Sequence, residues 1–362
     1  MEILYYTIFG IYVLALSYIT IYCMMQLHLL YKYKSFYRKN GIPKMLKAEG
    51  NQELPFITIQ LPIFNEMYVV ERLLENVTKF DYPRDKFEIH VLDDSIDETV
   101  EITKKEVEKY QAQGFNIQQI RRTNRQGYKA GALKEAMQFA KGEFIAIFDA
   151  DFLPRPDFLR TTIAHFLVNE KVGVVQTRWE HINQNYSLLT RLQAMQLNVH
   201  FTVEQKGREA GNYLLQFNGT AGVWRRACID DAGGWQSDTL TEDLDLSIRA
   251  QLKGWEITYL EKFGSPAELP AEMNGLKSQQ FRWMKGGAES AKKLLPTVWK
   301  SDLKLSQKLH TTSHLLGSSV FIFIFIVGIF SVPLLFILNE LGLKPHFLSI
   351  FFVATLAIIA VY

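Results

Sequence analysis

Residues 144–151 read FIAIFDAD: five apolar residues, then two carboxylates one residue apart, with Pro154 close behind. A short apolar run bounded by turn residues is the pattern of a strand buried on both faces. Similar runs lie on either side. Phe56–Pro62 (FITIQLP) and Phe87–Leu92 (FEIHVL) are rich in β-branched and aromatic residues, and the second ends at Asp93-Asp94. Asn116–Arg121 and Val172–Gln176 predict two further strands. Between them, Glu66–Phe80 carries Val69, Val70, Leu73, Leu74 and Val77 at helical spacing. Glu98–Tyr110 reads as a charged helix, and Tyr128–Ala140 as a helix opened by Gly127. Strands alternating with helices predict an α/β fold, a mostly parallel sheet with helices on both faces. Ligands in such sheets sit beyond the carboxyl ends of the strands. Asp93, Asp94, Asp149 and Asp151 all fall there.

The rest of the chain is more helical and partly membranous. Tyr186–Arg208 and Asp243–Leu252 predict helices. Residues 3–25 and 315–338 carry no charged side chain, runs of 23 and 24 residues, where ~20 suffice to cross a bilayer. A signal peptide would be shorter, begin with basic residues rather than Met-Glu, and end at a small-residue cleavage site. The first run therefore predicts a transmembrane helix over 1–25. A basic linker over 26–48 follows, with Lys32, Lys34, Arg38, Lys39, Lys44 and Lys47. Such a cluster belongs on the cytoplasmic side. It places the polar block, read as one domain over 49–293, in the cytoplasm. Residues 294–314 mix Leu, Val and Trp with lysines and predict one interfacial helix. A second span follows at 315–338. A third charge-free run, 347–362, stops in mid-span, which leads us to expect a longer natural chain.

Composition excludes other classes. Charged residues are 22% and hydrophobic ones 48% of 362 residues, so the chain is not disordered. Two cysteines, Cys23 and Cys228, make no disulfide framework and suit a reducing compartment. A net charge of +2 gives no electrostatic case for a nucleic-acid partner. The sequons at Asn76, Asn185 and Asn218 carry no meaning in the cytoplasm.

Three acidic clusters and one mixed one carry the chemistry. Asp149 and Asp151 at a strand end can hold a divalent metal, Mg²⁺ or Mn²⁺. Mg²⁺ takes one or two carboxylates plus substrate phosphates. Asp93 and Asp94 can accept hydrogen bonds from a ribose or base edge, and helix capping would explain one of them but not both. In Thr241-Glu242-Asp243, capping competes evenly with a role as general base. In Gln279-Gln280-Phe281-Arg282-Trp283, Gln279 and Arg282 share a helix face. Arg282 can bind diphosphate oxygens bidentately, and Trp283 offers a flat face to a sugar ring.

These pieces resemble the processive, membrane-embedded glycosyltransferases of family 2, which include cellulose, hyaluronan and mannan synthases. The matching motifs are Pro62-Ile-Phe-Asn-Glu66, Val91-Leu-Asp-Asp94, Gly127-Tyr-Lys-Ala-Gly131, Asp149-Ala-Asp151, Phe217-Asn-Gly-Thr-Ala-Gly222, Thr241-Glu-Asp243 and Gln279-x-x-Arg282-Trp283. Seven motifs in order over ~230 residues are far more specific than any one of them. FNGTAGVWRRA, GGW, TEDLDLSIRAQLKGW and ELPAEMNGLKSQQFRW are most similar to the plant cellulose-synthase-like A and C groups, which make mannan, glucomannan or glucan backbones. The resemblance implies a GT-A (Rossmann-like) domain beside transmembrane helices. It implies that Asp93 and Asp94 contact the nucleoside, Lys129 reaches the donor sugar or diphosphate, and Asp149 and Asp151 bind metal and diphosphate. Gln279 and Arg282 would hold the diphosphate, Asp243 would deprotonate the acceptor, and Glu242 and Trp283 would lie on the acceptor side. The reaction so implied is inverting hexose transfer from UDP-glucose or GDP-mannose to a β-linked polysaccharide. The alternatives are a single-transfer glycolipid glucosyltransferase of the ceramide-glucosyltransferase type, with a lipid acceptor, and a membrane scaffold carrying an inactive transferase domain.

Overall fold

In the computed structural model, described over residues 2–48, 53–340 and 349, a seven-stranded sheet organises the polar block. Its strands are β1 (Ile57–Ile63), β2 (Phe87–Asp93), β3 (Ile117–Ile120), β4 (Phe144–Ile147), β5 (Val172–His181), β6 (Gly222–Arg225) and β7 (Glu256–Ala267), in the order β3-β2-β1-β4-β6-β5-β7. β1, β2, β3 and β4 are mutually parallel, and β5 pairs in parallel with β7. β6 runs antiparallel to both β4 and β5, so the sheet is mixed. Sequence patterning missed β6 and β7. β6 has four residues at the end of a glycine-containing motif, too few to show a period.

Alternation along β4 builds two cores at once. Phe144, Ala146 and Phe148 join Phe80, Phe158 and Phe263 on one face, while Ile145 and Ile147 join Trp224, Trp235 and Leu246 on the other. Side chains of a strand point to opposite faces in turn, so a strand covered on both sides reads as a continuous apolar run. The covering helices are α2 (Val70–Val77), α3 (Thr99–Ala112), α4 (Tyr128–Ala136), α5 (Phe158–Val168), α6 (Leu188–Val199), α7 (Lys206–Ala210), α8 (Arg226–Asp231) and α9 (Glu242–Leu252). A π-helical turn, His200–Gln205, joins α6 to α7, so the single helix predicted over 186–208 carries one distortion.

Two segments differ from the sequence expectation. The first helix, α1, runs Glu2–Asn40, well into the stretch expected to be a linker. Its last turns lie on the sheet domain: the Tyr33 and Tyr37 hydroxyls both donate to the buried carboxylate of Glu261 on β7, Tyr33 at 3.2 Å. At Gly207 an added Cβ would sit 2.6 Å from the Leu29 carbonyl oxygen, so α7 touches α1 backbone to backbone. These contacts extend the helix beyond its apolar span. The interfacial helix expected over 294–314 is instead the end of α10 (Met273–Lys300), a break, and α11 (Leu305–Leu315). The Lys304 amide donates to the Gln307 side chain at 3.0 Å to start α11. Leu294, Val298 and Leu315 pack on Leu244 and Ile248 of α9, binding both helices to the sheet domain. Trp299, Leu305 and Leu309 remain exposed.

α1 and a last helix, α12 (Val320–Glu340), are the described helices long and apolar enough to cross a membrane. They pack together through stacked Tyr18 and Phe323, centroids 4.1 Å apart. The third apolar run, 347–362, lies outside the described residues apart from Ser349.

Candidate active site

Register brings the acids together. Ile63 of β1 stands beside Asp93 of β2, and Gln60 of β1 beside Ile147 of β4. β1 and β2 therefore end at one level and β4 ends three residues short of them, and Glu66, Asp94, Asp149 and Asp151 follow on that edge. Because β6 is antiparallel, Gly222 pairs with Ile147 and the preceding loop, 217–221, opens at the same edge. Asn65 ties the first two loops: its amide donates to Ser95 Oγ (2.9 Å), and its Oδ1 accepts from the Ile96 amide (3.1 Å). Its φ of +56° is one that asparagine tolerates better than most residues.

Lys129 joins the two halves. Gly127 and Tyr128 both have positive φ and turn the chain into α4. An added Cβ at Gly131 would lie 2.0 Å from the Gln126 carbonyl oxygen, so only glycine lets this turn close. The Lys129 ammonium then donates to Asp149 Oδ1 and, at 3.0 Å, to the Gly219 carbonyl. Burial opposes its charge, but Asp149, Glu242 and Asp243 outweigh burial and raise its pKa. The Asp149 amide donates to Thr220 Oγ1 at 2.8 Å. The loop before β6 thus holds both the lysine and the first acid.

Asp151 is raised to about 7 by burial and by the charges of Asp149 and Glu66. Clustered acids that repel one another in this way are relieved by a divalent cation. Among the described residues no group of three His, Cys, Asp or Glu side chains forms a closed metal cage. Two carboxylates with the remaining positions left to phosphate oxygens and water match the demands of Mg²⁺ or Mn²⁺, so Asp149 and Asp151 fit a metal shared with a diphosphate.

Glu242 and Asp243 open α9. Thr241 makes no cap; its hydroxyl meets Ser290 Oγ at 3.1 Å instead. Asp243 Oδ1 accepts from the Leu244 amide at 2.8 Å, and a Cβ placed on Gly219 would lie 3.1 Å from Asp243 Oδ2. Burial first, then the neighbouring Glu242 charge, raises the Asp243 carboxyl to about 7. Burial and Asp149 also raise Glu242, against the pull of Lys129 and Arg282. A carboxyl poised near neutrality is suited to taking a proton from a hydroxyl.

Gln279, Arg282 and Trp283 sit in the first turns of α10, Gln279 and Trp283 half-buried and Arg282 exposed. Their helix docks on Thr241-Glu242-Asp243 through Gly286, where a Cβ would lie 2.8 Å from the Thr241 amide nitrogen, and through Glu289, which accepts from the Leu240 amide at 2.9 Å. Arg282 and Gly286 are one helical turn apart, so this docking turns the arginine toward the acids.

Asp93 and Asp94 part company. Asp93 is 1% exposed, and its oxygens accept from the Ser95 amide (2.9 Å) and Gln119 Nε2 (2.7 Å). It faces inward and shapes the loop. Asp94 stays at the edge in a bidentate pair with Arg122, whose guanidinium also donates to the Gln126 and Tyr128 carbonyls and so braces the Lys129 turn. Sequence reasoning passed over Arg122, Thr220 and the carbonyl of Gly219. Thr220 and Gly219 lie in the FNGTAG motif; nothing local marked Arg122. The guanidinium of Arg125 covers the Phe64 ring at 3.2 Å. Clefts of about 380 and 360 Å³ border α6, and none of the site carboxylates lines either.

The family described as "Glycosyltransferase like family 2" matches residues 55–286. Glucomannan 4-beta-mannosyltransferase 1 of Oryza sativa subsp. japonica is 42% identical over 276 residues, 73% of this chain and 53% of that protein. Glucomannan 4-beta-mannosyltransferase 7 of Arabidopsis thaliana is 39% identical over 275 residues, 75% of this chain and 49% of its own. The chain spans about half the length of these relatives. Among solved structures, the mannosyltransferase PcManGT of Pyrobaculum calidifontis, in complex with GDP-Man and Mn²⁺, superposes with a TM-score of 0.67 at 21% identity, covering 96% of this chain and 92% of that one. TarS residues 1–349 of S. aureus, in complex with UDP-GlcNAc, gives 0.54 at 18% identity over 73% and 72% of the two chains. These neighbours share the GT-A fold predicted from the motifs. With the acids, the lysine and the docked arginine helix converging at one sheet edge, and with the family match spanning nearly all of them, the chain belongs to glycosyltransferase family 2.

Proposed function

We propose that this protein is an inverting hexosyltransferase that moves a hexose from a nucleotide sugar, GDP-mannose or UDP-glucose, to the end of a β-linked polysaccharide. The observation that carries the reading is the meeting of Asp149, Lys129 and Asp243 beside Gly219, with Arg282 brought alongside by the docking of α10. Asp149 and Asp151 would hold Mg²⁺ or Mn²⁺, which supplies charge neutralisation for a departing diphosphate. Lys129 and Arg282 add fixed positive charge on the same side. Ionised Asp243 takes the proton of an acceptor hydroxyl, and that oxygen attacks the anomeric carbon opposite the leaving diphosphate. One displacement inverts the anomeric centre, so an α-linked donor yields a β-linked product. A retaining route would need a second carboxylate as nucleophile.

The similarity to glucomannan mannosyltransferases supports mannose or glucose as the transferred sugar. Two apolar helices beside the domain support a membrane enzyme, and the basic residues that follow the first span support a site on the cytoplasmic side. In a eukaryotic cell the membrane would be that of the Golgi. The test is to incubate membranes with labelled GDP-mannose and UDP-glucose separately and digest the product with linkage-specific mannanases and glucanases. A digestible ladder supports the reading; one lipid-soluble adduct selects the glycolipid alternative, and no transfer from either donor refutes both.

A further inference from the structure

Arg122 lies outside the transfer chemistry, yet it bonds to two separate loops beside it. Its buried guanidinium donates from Nε to Asp94 Oδ1 at 2.9 Å and from Nη2 to Asp94 Oδ2. Nη1 donates to the Gln126 carbonyl at 3.0 Å, and Nη2 also to the Tyr128 carbonyl at 3.1 Å. Those carbonyls belong to the peptides on either side of Gly127 and Tyr128, whose φ angles are +73° and +48°. Left-handed backbone is costly at a tyrosine and persists only where its surroundings over-determine it. The Tyr128 side chain adds little, being 62% exposed. One guanidinium clamps both flanking peptides instead, and a Cβ added at Gly131 would lie 2.7 Å from its Nη1. Arg121 donates to the Ser95 carbonyl at 2.8 Å, so the end of β3 is tied to the Asp94 loop twice over. The residue after this turn is Lys129, whose half-buried ammonium meets Asp149 and the Gly219 carbonyl.

We propose that Arg122 is a positioning residue for the donor diphosphate: anchored on Asp94, it holds the Gly127-Tyr128 turn in the conformation that delivers Lys129 to Asp149. This rests on the transferase reading above, in which Lys129 adds positive charge beside the leaving diphosphate. The task suits a guanidinium and not an ammonium. Arginine carries five N–H groups in a planar fork, and four of them are used here. Lysine donates from a single point and cannot span a carboxylate and two carbonyls together. The pair also links two places that are far apart along the chain, the acid after β2 and the turn before α4. Loss of the link frees the turn to relax, and Lys129 then leaves Asp149 although its own side chain is intact.

A residue that only touched the nucleoside would affect nucleoside monophosphate and diphosphate alike, whereas one acting through Lys129 affects the diphosphate alone. Titration calorimetry with Mn²⁺ on the detergent-solubilised protein compares GMP with GDP and UMP with UDP. Removing one partner of a buried ion pair endangers the fold, so the first variant is Arg122→Lys, which leaves Asp94 a cation. Arg122→Lys should narrow the preference for diphosphate over monophosphate about tenfold, while monophosphate affinity moves less than about threefold. Lys129→Ala should narrow it at least as much, and the double variant no further than Lys129→Ala, because residues acting as one unit do not add. In Arg122→Ala, added guanidinium ion should restore part of the preference, and none of it once Lys129 is also alanine. Equal losses for monophosphate and diphosphate, additive losses in the double variant, or an unchanged preference in Arg122→Lys each overturn the proposal. If they do so while hexose transfer persists in the wild type, the transferase reading stands. Nucleotides that bind without any hexose transfer count against that reading, and the same comparison still decides the role of Arg122. Binding of no nucleotide refutes both.

Discussion

Asp243→Asn should abolish transfer and at the same time stabilise the protein at alkaline pH. Asparagine keeps the volume and an Oδ1 to accept from the Leu244 amide, so the change removes charge and little else. The folded carboxyl titrates near 7 against an ordinary 3.8. Its ionised form is therefore disfavoured by folding, and the difference corresponds to about 4 kcal/mol at most. Glu242 shares the proton and water relieves part of the strain, so about 2 kcal/mol is the working figure. The sign follows from linkage: a raised carboxyl contributes stability that is complete below about pH 4 and is lost as pH climbs through about 7. The asparagine variant loses nothing over that window. Thermal unfolding of both proteins, with chelator present, should give matching midpoints near pH 4 and a gap that widens to ~4–8 °C by about pH 8. Turnover of the wild type should rise with pH through about 7, whereas the variant should stay low without that rise, roughly 10² or more below the wild type at about pH 8. A midpoint gap that does not change with pH, or a variant less stable at alkaline pH, would refute the argument that burial and Glu242 hold this carboxyl near neutrality.

Three further outcomes follow from the geometry. Asp151→Ala should weaken nucleotide-sugar binding about as much as chelation does and make binding insensitive to added Mn²⁺; titration calorimetry with and without metal checks this, and a variant that still responds to metal removes Asp151 from the metal site. Gly286→Val should force α10 away from Thr241, since a Cβ there already meets the amide nitrogen at 2.8 Å; kcat should fall well over tenfold although Gly286 touches no substrate, and retention of wild-type kcat would show that α10 need not dock so closely. Asp93→Ala should cost about 1–3 kcal/mol of stability by stranding the Ser95 amide and Gln119, with a smaller effect on donor KM than Asp94→Ala; the reverse order in steady-state kinetics would favour a nucleoside contact for Asp93.

Several things were legible along the chain because their physical cause is local. Buried strands declare themselves as apolar runs, so β1, β2, β4 and the start of β5 were readable, with the acids at their ends. Helical spacing marked α2, and a charged stretch, an opening glycine and an opening aspartate marked α3, α4 and α9, each to within a few residues. Charge-free length marked α1 and α12. What could not be read depends on partners distant in sequence. The antiparallel run of β6 is set by its neighbours β4 and β5, not by its own four residues, and it is this reversal that turns the 217–221 loop toward Lys129. The length of α1 depends on Tyr33 and Tyr37 finding Glu261 more than two hundred residues away. Asp93 and Asp94 are identical in composition and adjacent in sequence; only the pleat of β2, which points successive side chains to opposite sides, sends one inward to Gln119 and leaves the other at the edge with Arg122. Residue type and order thus established which groups are available for transfer chemistry, while long-range packing chose which of them share one pocket edge, because a side chain's direction and charge environment belong to its neighbours in space.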